Sequence, residues 1–598
     1  MNTSIRTVDQ PARPPSAAPG VGDATPASAR SDGPQPRAAA GDATPGDATP
    51  AIAPQRTGHD AGFVALVMVL AALAVAPLVA LAGIAATPVE GVWRHLATTV
   101  LPGAVATTLL LMLGVGLVTV VIGVGTAWLT AVFTFPGRRL FTWALLLPLA
   151  VPTYIVAYAA VEVMDFTGPL QTAIRALTGA VTRRDYWFPQ VRSLPGAIIV
   201  MGLVLYPYVY LSARAAFLLQ SATAIDVART LGAGPGRVFF RVALPLARPA
   251  IVVGVSLALM ECLNDIGAVQ FFGVRTLTVS IYDTWLNRGS LAGAAQIACA
   301  MLVVVLALVL AERGARRGRR FSTASTRHVP LVPVPLTGVR AGLATVACAV
   351  PVLLGFAVPA AVLLDSALQR TEQLFDPGLH AAAWNSLSFA LIAAAVTVAA
   401  GTAIGYAVRL QPRKLVKAAA AVASIGYAVP GTVLAVGIFV PLAALDNAVD
   451  GMMRQLFGLS TGLLLAGSGA GLVYAYAARF MAMSVGSVEA GFAKLSPNLD
   501  MAARTLGRGA LGTLRRVLLP LMRPALATAA LLVFVDAMKE LPATILLKPF
   551  NFETLATLVY AAASREYFEE SAVAALAIVL VGLLPVVLLA RTTAAVRR

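Results

Sequence analysis

Residues 228–250 read ARTLGAGPGRVFFRVALPLARPA, and residues 503–525 read ARTLGRGALGTLRRVLLPLMRPA. Aligned without a gap, the two stretches share fourteen positions. The first block is Ala228/Ala503, Arg229/Arg504, Thr230/Thr505, Leu231/Leu506, Gly232/Gly507 and Gly234/Gly509. After a variable middle they rejoin at Arg241/Arg516, Val242/Val517, Leu244/Leu519, Pro245/Pro520, Leu246/Leu521, Arg248/Arg523, Pro249/Pro524 and Ala250/Ala525. Long apolar runs flank each copy. Two related membrane halves joined in tandem explain this pattern, and whatever the polar segment does is done twice.

Composition agrees. Hydrophobic residues are 58% of the 598 and charged residues 12%, with a mean hydropathy of +0.80. An ordinary soluble domain carries about 25% charged residues, so the chain is a polytopic membrane protein. The net charge of +17 does not point to nucleic acid, because the basic residues cluster between apolar runs. They sit at Arg138-Arg139, 313–320, 413–417 and Arg597-Arg598, the distribution of cytoplasmic loops. Cys262, Cys299 and Cys348 all lie in apolar runs and read as small buried hydrophobes, without a disulfide or CxxC metal framework.

Apolar windows long enough to cross a bilayer number about twelve. They fall near 62–86, 104–133, 140–163, 196–216, 249–272, 291–311, 341–365, 383–408, 418–445, 462–485, 525–547 and 569–590. The expected fold is therefore all-α and polytopic, with two tandem parallel six-helix halves. Residues 1–60 repeat GDATP at Gly22, Gly41 and Gly46 and read as a disordered cytoplasmic tail without a secretory signal pattern. The first transmembrane domain is 61–320, the linker 321–335 and the second domain 336–598. With the N-terminus inside, FPGRRLF (135–141), both repeated segments, RGARRGRR (313–320), QPRKLVK (411–417) and the C-terminal arginines share the cytoplasm. The outer segment 164–195 disagrees, since it carries Arg175, Arg183, Arg184 and Arg192. Within it, Arg183-Arg184-Asp185-Tyr186-Trp187-Phe188 suits either a protein partner or lipid headgroups.

The repeated segment is too polar to span and too patterned for a slack connection, which in a helix bundle runs to roughly 2–8 residues. Asp226 to Gly232 reads as a short amphipathic helix stopped by glycine, and 500–507 repeats it. Leu244-Pro245 and Leu519-Pro520 then lead back to the membrane, with Pro249 near the first turn of the next span. A docking helix for a cytoplasmic partner with two equivalent sites fits better than a plain joint.

This segment resembles the "EAA" coupling loop of membrane permeases of ABC importers, a pattern of E-A-A, a glycine after three residues and a closing I-x-L-P. In this chain the pattern falls on Asp226, Ala228, Gly232, Leu244 and Pro245, and again on Asp500, Ala503, Gly507, Leu519 and Pro520. Neither copy keeps the leading Glu; Asp226 substitutes for it in one, and Met501 in the other with Asp500 just before. DAMKELPATILLKPFNFETLATLVY (536–560) and LMECLNDIGAVQFFGVRTLTVSIYDTW (259–285) look like the fused double permeases that serve ferric-iron binding proteins. Thiamine, phosphonate and polyamine permeases share the architecture.

The resemblance implies a bacterial inner-membrane permease with cytoplasmic termini. Its partners would be two copies of a cytoplasmic ABC ATPase docked at 224–250 and 499–525, a periplasmic solute-binding protein and the lipid bilayer. ATP and Mg would sit on the ATPase, and this chain would bind no cofactor and catalyse nothing itself. No G-x-x-x-x-G-K occurs, so a P-loop is absent here.

Intramembrane acids are costly and mark function by default. Glu261 and Asp265 occupy the fifth span, and Asp536 and Glu540 the eleventh, with Lys539 between. Under the repeat they pair as Glu261/Asp536 and Asp265/Glu540, and a spacing of four places each pair on one helical face. Four carboxylates from two related helices suit a path for a small, highly charged cation. Capping of helix ends, or pairing with Lys539, is the structural alternative. Whether any metal is held is open. Tyr154 and Tyr158 are further oxygen donors or, equally, interface anchors. Parallel halves and buried acids also fit an ion-driven secondary transporter; only an ATPase-dependent importer uses the paired loops. No HExxH or nucleophile constellation is present.

Overall fold

A computed structural model describes residues 58–87, 92–219, 227–228, 230–316 and 333–595, which belong to one compact unit, Arg56–Arg598. The segment read as a tail, up to residue 57, and most of the linker 321–335 lie outside the described residues.

The first half contains α1 (Gly58–Ala85), α2 (Leu101–Val132), α3 (Arg138–Ala144), α4 (Thr153–Met164), α5 (Leu194–Leu219), α6 (Leu244–Asn264), α7 (Gly267–Phe271) and α8 (Leu291–Arg316). The second contains α9 (Gly338–Val352), α10 (Val358–Gln369), α11 (Pro377–Leu410), α12 (Lys414–Ala423), α13 (Gly431–Phe457), α14 (Ala470–Phe492), α15 (Asn498–Thr505), α16 (Arg523–Met538), α17 (Pro542–Leu547) and α18 (Ala572–Ala595). Carrying the register of the quoted repeat along the chain lays α2 on α11, α3 on α12, α5 on α14, α6 on 519–538 and α7 on α17. The halves are alike in helix order as well as in sequence.

Nine described helices are long and apolar enough to cross a membrane, or up to eleven if each of two sharply bent pairs is one span. This is fewer than the twelve windows read from sequence. The windows at 140–163 and 525–547 fall on the bent pairs, which turn by 95° and 80°. The window at 462–485 falls on α14, which does not reach the apolarity of the others because Arg479, Ser484 and Glu489 interrupt it. The prolines have a consistent local effect. Short π-turns at Leu96–Val100, Phe239–Ala243, Leu353–Ala357 and Leu514–Leu518 each precede a residue followed by proline. A proline ring cannot donate and crowds the carbonyl four residues back, so the preceding N–H reaches one residue further. Leu244 N–H bonds the Phe239 carbonyl and Leu519 N–H that of Leu514. Pro245 is thus the first-turn proline, and Pro249 lies inside α6, a turn later than the sequence pattern suggested.

The halves exchange their first helices. α1 packs on α11, α12 and α13 of the second half as well as on α8. Val67 and Ala71 share a core with Ile404, Ala407, Val416 and Met481, and the Tyr474 hydroxyl donates to the Leu73 carbonyl. Gly437 lacks the Cβ that would strike the Pro77 backbone. In return, Ala341, Ala344 and Cys348 of α9 pack with Val124, Ala127 and Tyr206, and Gly355 leaves room for the Leu203 carbonyl. A two-residue parallel bridge, Phe133–Thr134 with Val334–Pro335, fixes the start of the second half to the end of α2.

Candidate coupling loops and intramembrane site

The repeated segment forms what its glycines require. α15 ends with Gly507 at φ +77°, where Arg508 N–H bonds the Ala503 carbonyl and Gly507 N–H that of Arg504, both at 3.0 Å. Those two bonds close a helix C-terminus through a left-handed residue, a position that suits glycine. The first copy matches it: Gly232 stands at φ +78° and Ala233 N–H bonds the Ala228 carbonyl at 3.0 Å. Asp226 lies outside the described residues. Leu231 and Leu506 are each 81% exposed, and Val227 and Met501 are exposed beside them, while Ala503 is buried. Both copies therefore turn apolar side chains outward, and Ala228 is half-buried where Ala503 is buried. Leu244, Pro245, Leu519 and Pro520 form the rising helix starts described above.

Asp500 faces inward. Its Oδ2 accepts from Arg409 Nε at 2.9 Å and Nη2 at 2.7 Å, and Arg409 also donates to the Phe492, Leu495 and Ser496 carbonyls. Nothing in the sequence spacing linked these residues.

The four acids converge on one cavity of about 90 Å³, lined also by Tyr154, Asn264, Arg479 and Lys539. Their geometry corrects the one-face reading. α6 stops at Asn264 and α16 at Met538, so Asp265 and Glu540 lie beyond the helix ends. Asp265 Oδ1 accepts the N–H groups of Ala268 (2.8 Å) and Val269 (3.2 Å), and its other oxygen takes the Thr153 hydroxyl. Glu540 accepts Ala543 N–H (2.9 Å), Thr544 N–H (3.1 Å) and the Thr544 hydroxyl (2.7 Å). These two carboxylates hold the starts of α7 and α17, where main-chain donors lack helical partners.

Glu261 and Asp536 remain within their helices. Glu261 accepts from the Tyr427 hydroxyl at 3.1 Å, and Asp536 pairs with Lys539 at 2.9 Å. Arg479 was not singled out by sequence reasoning, although an arginine inside a 20-residue apolar stretch was signal enough. It is 4% exposed and faces Glu261 of the first half and Glu540 of the second. Among the described residues no group of three or more His, Cys, Asp or Glu is placed to hold a metal ion. Tyr154 lines the cavity with its hydroxyl buried and without a hydrogen-bond partner, whereas Tyr158 packs on Phe271 and Phe568.

At the opposite end of the helices from the repeated loops, Arg192 crosses between halves to Glu566 at 2.7 Å. In the loop before it, Asp185 folds back on the Thr182 and Val181 N–H groups, which hold its carboxyl below the usual range, and Trp187 is exposed.

Comparison with known proteins agrees with this architecture. Residues 119–317 match the model of the family described as "Binding-protein-dependent transport system inner membrane component". The Fe(3+)-transport system permease protein FbpB 2 of Haemophilus influenzae is 24% identical over 488 residues, covering 81% of this chain and 88% of that protein. The molybdenum transport system permease protein ModB of Escherichia coli is 30% identical over 204 residues, 33% of this chain and 86% of ModB. A probable ABC transporter permease protein, y4fN, of Sinorhizobium fredii is 25% identical over 450 residues, 71% of this chain and 75% of that protein. The chain belongs to the family of binding-protein-dependent transport system inner membrane components, the permease subunits of ABC importers.

Proposed function

We propose that this permease passes ferric iron, delivered by a periplasmic binding protein, across the bacterial inner membrane, with both termini in the cytoplasm. Two copies of an ATPase subunit dock at 224–250 and 499–525 and carry ATP and Mg; this chain holds no cofactor. The observation that carries the cation reading is the convergence of Glu261, Asp265, Asp536 and Glu540 on one cavity against two cations, Arg479 and Lys539. Similarity along most of the chain to a protein named as an Fe(3+) permease supports it. For the docking surfaces the support is the pair of glycine-closed helices with outward apolar side chains.

A second reading, oxyanion transport, draws on the higher identity to ModB over part of the chain and on the presence of Arg479 and Lys539 in the cavity. Uptake in cells expressing the chain with its neighbouring ATPase and binding-protein genes decides between them. Uptake of radioactive iron(III), unaffected by excess molybdate or sulfate, is the expected result; uptake of either oxyanion without iron overturns the iron assignment.

A further inference from the structure

The two cations of the central cavity are bound differently. Lys539 is satisfied on its own helix by Asp536 at 2.9 Å. Arg479 faces acids from both halves, at 3.8 Å from Glu261 Oε2 and 3.9 Å from Glu540 Oε1. Those separations exceed hydrogen-bond length, so Arg479 compensates Glu261 without closing its Oε2, whereas both oxygens of Glu540 are already taken by Ala543 and Thr544. Its Nη1 donates in a short contact to the side-chain amide oxygen of Asn264, and its Nε has no hydrogen-bond partner. The repeat does not duplicate it: the matching position in α5 is Val204. Room for the guanidinium comes from Gly431, where a Cβ would stand 3.1 Å from Arg479 Nη1 and 2.7 Å from Glu540 Oε1. In the first half Thr153, the first residue of α4 as Gly431 is of α13, gives its hydroxyl to Asp265 instead.

We infer that Arg479 is the resident counter-cation of the path: it compensates Glu261 and Glu540 while the path is empty, and a cationic cargo takes its place beside Glu261. The inference rests on the cation reading of the cavity. Buried carboxylates without a compensating charge are strongly destabilising, so an empty path through them needs a cation of its own. A tightly bonded arginine would block Glu261, and a distant one would leave its charge uncompensated. The observed spacing lies between those limits. α14, which carries Arg479, leads directly into α15, so displacement of the guanidinium acts on the helix that runs to the second coupling loop.

The test uses the purified full chain and terbium(III), a trivalent probe whose emission is sensitised by tyrosines such as Tyr154 and Tyr427 beside the site. Removing the guanidinium in Arg479→Gln should tighten terbium binding at least about tenfold over the parent. Arg479→Lys, which keeps the charge, should bind terbium no more tightly than the parent, and Arg479→Gln with Glu261→Gln should lose the gain. Monodisperse elution confirms folding; should Arg479→Gln aggregate, Glu261→Gln alone serves instead and must then fall below the parent in terbium affinity. Equal terbium affinity in folded parent and Arg479→Gln, or equal affinity of parent and Glu261→Gln in the second case, overturns the inference. Iron(III) uptake by the unaltered transporter is measured in parallel. A parent that moves no iron refutes the substrate, whereas a parent that moves iron beside an unchanged terbium titration refutes the counter-cation alone.

Discussion

Arg409 in α11 holds Asp500 in α15 through two donors on one carboxylate oxygen, at 2.7 and 2.9 Å, while its remaining N–H groups bind the carbonyls that link α14 to α15. α15, the helix proposed to couple the second half, is thereby fastened to the body of the molecule. Both side chains are 15% exposed, so the pair is better shielded than an ordinary surface ion pair. Asp500→Asn is expected to lower stability by about 1.5–3 kcal/mol, the range for hydrogen bonds to charged groups. Uptake should fall more than ATP hydrolysis, because the lever loosens while the ATPase stays intact. Equal loss of both rates would assign Asp500 to ATPase contact instead.

The loop glycines make a separable prediction. A Cβ at Gly232 or Gly507 would meet nothing within 4 Å, so the cost of substitution lies in the backbone and not in collision. Left-handed geometry costs an ordinary L-residue roughly 1–2 kcal/mol, more for a β-branched one and less for asparagine. Gly507→Val should reduce co-purification of the ATPase and abolish transport, and Gly507→Asn should retain most of both. Parental assembly and uptake in Gly507→Val would remove the docking role.

Neutralising the acids should divide them into two classes. Asp265→Asn and Glu540→Gln disturb the starts of α7 and α17 and should lower the yield of folded protein, by about 0.5–2 kcal/mol each. Glu261→Gln and Asp536→Asn leave those helix starts intact and should lower uptake per assembled complex. Quantifying membrane-inserted protein beside uptake, with binding protein saturating, resolves the classes. Unchanged uptake per complex in the Glu261→Gln, Asp536→Asn double variant would exclude the cavity as the path.

Deleting residues 2–55 should leave insertion, assembly and uptake near parental levels, since that composition has no core-forming pattern. Normal protein level with a large loss of uptake would assign the segment a regulatory or docking role.

Sequence periodicity and the repeat carried much of the fold, for a physical reason. A bilayer demands long apolar helices, and a glycine in a polar loop demands a stop. The turns at Gly232 and Gly507 and the pairing of Glu261 with Asp536 and Asp265 with Glu540 were readable in that way. The breaks at Asp265 and Glu540 were not, because an acid ending a helix and an acid lining one face share the same spacing. Arg409–Asp500 and Arg479–Glu261 were hidden by sequence distance: each joins elements from 91 to 218 positions apart, and residue order alone does not say which helices touch. The exchange of first helices was hidden likewise, since α1 is apolar on every side and names no neighbour.

That exchange has a consequence for how the chain is made. α1 leaves the ribosome before the other described helices, yet its partners Ile404, Val416 and Met481 follow only after more than 300 further residues, about 20–60 s at ordinary synthesis rates. For that interval it has lipid where it will later have protein. A helix that must wait in hydrocarbon cannot carry a polar face, and Leu66, Val69, Leu73 and Val79 keep its exposed side apolar. The second half therefore completes the first by clasping a helix already standing in the bilayer, and a chain interrupted after α8 would leave that helix permanently without its seat.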